Sequence, residues 1–342
     1  MTQHPVLFVT HRGERHQQAA LAAAPPGLAV TMRRSPSRDE LLELLPGYEF
    51  LITERTGKID AGLIRAGRNL RLIQRMGSQT YDIDLEAART AGVAVCYAPV
   101  AGCIRVAEHM MLQMLATAKR LRELMAIAEA AENGGRTPQP CDEDYFVFNW
   151  ANVRQLQGLW QSTVGILGMG EIGMELARRL RGWDCTVLYN KREPLPPEAE
   201  RDLHVRYADR DTLLAQSDFV CMLLPFFPET AQTLNAEFFA RLKPGACFVN
   251  CGGSGVVVEA ALAEAVRSGH LFGAAVDTYS WEPIRPDDPL LAVVRGSRAN
   301  LVLTPHVAAG SGTDRREVET HYGDYANVIR VLEGRELTGR VA

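Results

Sequence analysis

The sequence predicts an α/β protein built on doubly wound parallel sheets, arranged as two domains. Three observations carry that expectation. Short apolar runs alternate with helix-period segments along the chain. The runs fall into two series separated by a long helical stretch. Between a strand and a helix of the second series, Gly168, Gly170 and Gly173 take the spacing G-x-G-x-x-G. With 342 residues and 46% hydrophobic content, the chain can bury two cores.

The first series reads as strands at 6–10 (VLFVT), 27–32 (GLAVTM), 50–53 (FLIT), 70–76 (LRLIQRM) and 92–98 (GVAVCYA). A helix is then predicted over 104–133, because Val106, Met110, Met111, Met114, Leu115, Ala118, Leu121 and Met125 recur at helical spacing. Its methionines form a packing stripe, and Asn133-Gly134-Gly135 ends it. The following GGRTPQPCDEDYF reads as surface loop. The second series has strands at TVGILG from 163, then 186–190, 218–225, 246–250, 273–277 and 301–306. The tail over 314–337 has a helical pattern and no strand after it, so it is expected to return to the first domain. The predicted boundaries are therefore a flavodoxin-like domain of 1–103 plus 307–342, and a nucleotide-binding domain of 104–306.

Composition excludes several partners. The net charge is -4, with both signs interspersed, which leaves no footprint for nucleic acid or an anionic membrane. The start of the chain lacks the long apolar core of a signal peptide, and no run is apolar enough to span a bilayer. The 7 cysteines include no C-x-x-C pair, so reduced thiols in a cytoplasmic protein are expected, and no metal site.

The glycine spacing points to a dinucleotide. Gly168 permits a tight turn, Gly170 lets a pyrophosphate approach the backbone, and Gly173 lets helix and strand pack closely. The phosphates would sit at the helix start formed by Glu171 and Ile172. At the end of the next strand an NAD-binding protein usually offers a carboxylate to the ribose 2′-hydroxyl. This chain offers Asn190, Lys191 and Arg192. Two cations without a carboxylate favour a 2′-phosphate, so NADP(H) is expected, with NAD(H) second.

Together with DIDLEAARTAGVAV, VAEHMM, LLPFFPETAQTLNAEFFARLKPGACFVN, VDTYSWEP and LTPHVAAG, this fingerprint resembles the D-2-hydroxyacid dehydrogenase family over nearly the whole chain. The resemblance implies two Rossmann-like domains, one of them a substrate domain, with the active site in the cleft between them and hydride exchange between a nicotinamide and a 2-keto or 2-hydroxy acid. It implies His306 as the acid/base and Glu282 as its orienting partner. It also implies cofactor contacts by Leu224, Pro225, Thr230, Cys251, Gly252 and Asp277, a small-molecule substrate, and a homodimer. Imidazole suits the first role because it exchanges a proton near neutral pH, and a carboxylate partner favours its charged form.

The chain departs from the family where substrate is held. Gly253 stands where the family carries a carboxylate-binding arginine, and the glycine-rich turn of the substrate domain reads GSQTYDID, with Ser78 and Gln79. Without the guanidinium, simple 2-keto acids should be handled poorly. Gly252, Gly253 and Ser254 should enlarge the pocket, and Gly253→Arg should improve turnover of small acids. Arg105, at the start of the long helix, is the cation in a position to compensate. The second reading is a nucleotide-binding sensor on the same fold with little dehydrogenase activity.

Overall fold

The computed structural model describes residues 3–54, 57–296, 299–310 and 321–342. The chain divides into two compact units, Met1–Cys103 with Ser311–Ala342, and Ile104–Gly310.

In the first unit, β1 (His4–Thr10), β2 (Leu28–Arg34), β3 (Phe50–Thr53), β4 (Leu72–Met76) and β5 (Ala94–Ala98) form a parallel sheet of order β2-β1-β3-β4-β5. β1 shows why its sequence is apolar throughout. Val6 and Phe8 enter one core, Leu7 and Val9 the other, and all are fully buried. A parallel sheet covered on both faces needs such runs rather than alternation. Its helices start on side-chain caps. Ser37 and Glu40 form a reciprocal capping box on Arg38–Leu44, and Asp60 and Asp84 accept from Leu63 N and Ala87 N.

Of the tail helix expected over 314–337, the structure shows Ala326–Leu332, while 314–320 lie outside the described residues. Tyr325 and Val328 pack into the core beside Phe8 and Phe50, and Tyr325 Oη donates to Ala20 O at 2.6 Å.

The second unit carries β6 (Thr163–Leu167), β7 (Thr186–Asn190), β8 (Arg206–Tyr207), β9 (Phe219–Met222), β10 (Cys247–Asn250), β11 (Gly273–Val276) and β12 (Leu301–Leu303). They form a parallel sheet of order β12-β11-β10-β9-β6-β7-β8. β8 was not expected. It is a two-residue exposed edge strand, too short for any periodicity.

The expected single helix over 104–133 is two, Ala101–Ala118 and Leu121–Glu129, separated at Arg120, whose φ is 50°. The break has a local cause. Asn300 Nδ2 donates to Thr117 O at 2.8 Å and Gln157 N to Ala118 O at 2.9 Å, so other donors take carbonyls that a continuing helix would have used.

Parallel register sets Leu167, Met222, Asn250, Val276 and Leu303 level at the carboxyl edge of this sheet. The strand order reverses between β6 and β9, and ligands of open α/β sheets bind outside the carboxyl ends at such a switch point. The expected strands 218–225 and 301–306 both end early, at Met222 and Leu303. Their remaining residues become loops at this edge.

In the first unit, Glu54 follows β3 and meets Thr10 at the end of β1, with His16 Nε2 at 3.2 Å and Arg12 Nε at 3.6 Å. Burial alone would raise its pKa, but the bond from His16, the Arg12 charge and the Thr10 hydroxyl outweigh burial and lower it to about 2. A carboxyl depressed from 4.5 to about 2 stabilises the fold above pH 4.5 and loses that contribution as pH falls toward 2. Glu54→Gln is therefore expected to cost roughly 1–3 kcal/mol at neutral pH. In thermal melts from pH 6 to pH 3 its Tm should fall less steeply than the wild type's. Parallel curves would refute the assignment.

Candidate active site

The loop after β6 has the glycine geometry a dinucleotide requires. Gly168 has φ +99°, and a Cβ there would lie 2.6 Å from Leu223 O. A Cβ on Gly173 would lie 2.7 Å from Gly168 O, so glycine lets helix Glu171–Leu180 sit against the strand. Gly170 caps that helix and faces open space, with no atom within 4 Å of its missing side chain. Glu171 and Ile172, half-buried, form the first turn. The backbone is thus open where phosphates would meet the helix N-terminus and close-packed elsewhere, which fits the group. At the end of β7, Asn190 Nδ2 donates to Ala208 O at 2.9 Å, Lys191 is half-buried, and Arg192 is exposed. No carboxylate stands among these three positions.

The residues expected to move a proton are in contact. His306 Nδ1 lies 2.6 Å from Glu282 Oε2. Glu282 Oε1 accepts from Tyr279 N at 3.0 Å and from Ser254 Oγ at 3.1 Å. Burial pushes the Glu282 pKa up, but the bonds from Tyr279 and His306, the His306 charge and the Ser254 hydroxyl outweigh it, and its carboxyl sits below the ordinary 4.5. Glu282 is therefore ionised at neutral pH. A histidine held through Nδ1 presents Nε2 outward, and the His306 side chain is 52% exposed.

His306 takes a left-handed φ of 51°, uncommon for a residue with a side chain. Its position is set from the next turn. Asp277 Oδ1 accepts from Val307 N at 3.1 Å, and Oδ2 from Ala308 N at 2.9 Å. Oδ1 also accepts from Thr304 Oγ1 at 2.6 Å. Because the only hydroxyl proton of Thr304 goes to Asp277, Thr304 Oγ1 accepts from Gln113 Nε2 at 3.0 Å and from His109 Nε2 at 3.1 Å. Cys251 Sγ donates to Gln113 Oε1 at 3.2 Å, and burial pushes that thiol far up its pKa scale. Asp277, expected at the cofactor, is fully buried with both oxygens engaged on this loop. Sequence reasoning missed Thr304, Gln113 and His109. His109 lies 195 residues from Thr304, and no local pattern signals that pairing.

The glycine turn after β10 is not open space. Gly253 N donates to Leu224 O at 2.8 Å, and a Cβ on Gly253 would lie 2.3 Å from Phe226 N. A Cβ on Gly252 would meet Met222 Sδ at 2.6 Å, and one on Gly255 the Phe226 ring at 3.1 Å. The backbone of Pro225 and Phe226 lies where a side chain on Gly253 would start, so the expected enlargement does not occur. Thr230 holds that backbone, donating from Oγ1 to Pro225 O at 2.7 Å and accepting from Phe227 N at 2.8 Å. Phe226, Phe227 and Trp281, the neighbour of Glu282, are exposed around this turn.

The other expected residues are placed as follows. Arg105 is exposed in helix Ala101–Ala118, with its side chain against Gly310. Ser78 and Gln79 follow β4 in the first unit, where Ser78 is buried. Among the described residues no group of three or more His, Cys, Asp or Glu side chains is placed to hold a metal, and no helix is long and apolar enough to cross a membrane.

The fold described above is shared with known proteins. Residues 113–308 match the family described as D-isomer specific 2-hydroxyacid dehydrogenase, NAD binding domain. The chain is 36% identical to the glyoxylate/hydroxypyruvate reductase B of Escherichia coli over 284 residues, 81% of this chain and 79% of that one. It is 33% identical to the D-3-phosphoglycerate dehydrogenase of Archaeoglobus fulgidus over 302 residues, 87% of this chain but only 51% of the longer relative. Among solved structures, the TT0316 protein of Thermus thermophilus superposes with a TM-score of 0.53 at 29% identity, covering 99% of this chain and 100% of that one. A glyoxylate reductase from Paecilomyes thermophila gives 0.53 at 25% identity, covering 100% and 99%.

The close approach at Gly253 makes a prediction opposite to the sequence expectation. Gly253→Ala should lower stability by roughly 1–3 kcal/mol, seen as a lower Tm in thermal denaturation. Gly253→Arg should lower it at least as much, with no gain in reduction of small 2-oxo acids. An unchanged Tm in both would show that Pro225–Phe227 yields freely.

Proposed function

This chain belongs to the D-isomer specific 2-hydroxyacid dehydrogenase family, and from that membership we propose that it moves hydride between NADP(H) and a 2-oxo or 2-hydroxy acid, or a closely related carbonyl compound. The observation that carries the proposal is the 2.6 Å contact between His306 Nδ1 and Glu282 Oε2. When bound, the nicotinamide donates or accepts the hydride. The chain's own residues do the rest.

In the reducing direction, the carbonyl oxygen gains negative charge and needs a proton. His306, charged, gives it from Nε2, while Nδ1 keeps its bond to Glu282. Glu282 fixes the orientation of the ring, and Ser254 and Tyr279 N hold the carboxylate still. In the oxidising direction, neutral His306 takes the alcohol proton through the same nitrogen. Gly168, Gly170 and the first turn of helix Glu171–Leu180 would hold the pyrophosphate.

Lys191 and Arg192, with no carboxylate at positions 190–192 where β7 ends, support NADP(H) over NAD(H). A reducing, cytoplasmic setting belongs to the same reading, and the 7 cysteines form no disulfide. The assembly proposed is a homodimer. Phe146, Phe148 and Trp150, exposed at 70%, 84% and 48%, support it as apolar surface for a second copy.

His306→Asn should lower kcat for NADPH-dependent reduction of 2-oxo acids by about 10²–10⁴ while NADPH still binds, read by absorbance at 340 nm and by fluorescence titration. Wild-type turnover in that variant would overturn the role. Arg192→Ala should raise the NADPH KM by about tenfold and leave the NADH KM unchanged. Equal effects on both cofactors would remove the basis for the 2′-phosphate assignment.

A further inference from the structure

Carboxylate recognition is what the reading above leaves without a side chain, since Gly253 carries none and its surroundings admit none. We propose that Arg105 is the carboxylate-binding residue of the substrate site. The proposal rests on the assignment of His306 and Glu282 as the proton-transfer pair, and it names the group that aligns a 2-oxo acid with them.

Three observations place Arg105 in that role. First, its side chain lies along the turn that follows His306. A Cβ on Gly310 would stand 3.0 Å from Arg105 Cδ, 3.4 Å from Nη1 and 3.6 Å from Nε. Gly310 has φ +92° and donates from N to Val307 O at 2.8 Å, so it closes that turn. The absence of a side chain there lets the stem and guanidinium lie across the backbone just beyond His306. Second, Val106, Ala107 and Met110 are buried, which fixes the helix and hence the origin of the Arg105 side chain.

Third, no carboxylate among the described residues takes the charge. The carboxylate one turn along the helix, Glu108, pairs with Arg179 Nη2 at 3.2 Å instead. Arg179 in turn binds Glu175 Oε2 at 2.8 Å. Among the described residues no acidic group pairs with Arg105, which is exposed. A planar fork with a full charge suits a carboxylate, which it binds through two parallel bonds. An arginine serving only as a solvated surface group would need neither the glycine beneath it nor the diverted glutamate.

The test compares an acid with its uncharged ester. Phenylpyruvate and methyl phenylpyruvate are reduced with NADPH by wild type, Arg105→Gln and Arg105→Lys, after thermal melts have shown each variant folded. Arg105→Gln should raise the KM of the acid by about ten- to a hundredfold, with kcat within about threefold and the ester unaffected. Arg105→Lys should fall between, because a point charge replaces one of two bonds. Added guanidinium should partly restore the Arg105→Gln KM for the acid alone.

Oxamate binding to the protein–NADPH complex, followed by calorimetry, gives a readout without turnover and should weaken by the same factor in Arg105→Gln. An acid KM and oxamate affinity within about twofold of wild type, or an equal effect on the ester, would overturn the proposal. Failure of oxamate to bind the wild-type complex would overturn it too. Full activity in His306→Asn would instead sink the proton-transfer reading, so the two failures are distinct.

Discussion

Asp277 carries its carboxylate into the interior at the end of β11 with no exposed surface, and such a group is tolerated only when its oxygens are fully hydrogen-bonded. The donors are Thr304 Oγ1 and the amides of Val307 and Ala308, which flank His306 on both sides. The buried charge therefore determines where the loop after β12 can lie. The left-handed backbone at His306 is held by this arrangement. His109 and Gln113, bonded to Thr304, tie the same node to helix Ala101–Ala118.

From that node the site is built outward along level strand ends. Asn250 at the end of β10 donates to Thr278 O at 3.1 Å and accepts from Gly252 N at 3.1 Å, so the turns after β10 and β11 are joined. Thr278 Oγ1 returns a bond to Gly252 O at 2.9 Å. Ser254 and Glu282 then face each other, and Glu282 reaches His306. Asn250 and Thr278 are positioned by backbone groups of each other's turns, and Ser254 and His306 by the Glu282 carboxylate. The geometry is consequently a property of the sheet edge as a whole, and second contacts of this kind are what keep a reactive histidine oriented.

The turn Gly252–Gly255 shows how a missing side chain alters more than charge. Glycine at 253 removes a guanidinium and at the same time lets the Phe226 amide approach to a distance no Cβ would allow. Thr230 stabilises the resulting bend, and Phe226 and Phe227 are left exposed beside it. The missing side chain at Gly253 and the close approach of the Phe226 backbone thus go together. An exposed cation, Arg105, lies elsewhere, against Gly310, where a second glycine provides equivalent room.

Much of the fold was legible because its signals are local. Apolar runs at strand length, helix-period segments and the spacing of Gly168, Gly170 and Gly173 each depend on neighbours within a few residues, and all predicted strands are present within a few residues of their expected ends. What lacked a local signal was misread. β8 has two residues, and the break at Arg120 depends on Asn300 and Gln157 taking helix carbonyls. At the site, His306, Glu282 and Gly253 could be picked out by motif. Whether a loop fills the space beside Gly253, and that Asp277 faces the His306 loop through Thr304, could not, since those contacts join segments 27 or more residues apart. The sequence by itself determined which residue types stand at each strand end, because periodicity and glycine conformation act over short range. Only the tertiary structure decided which of them touch, because burial of one carboxylate and close approach of one backbone are properties of the packed sheet edge.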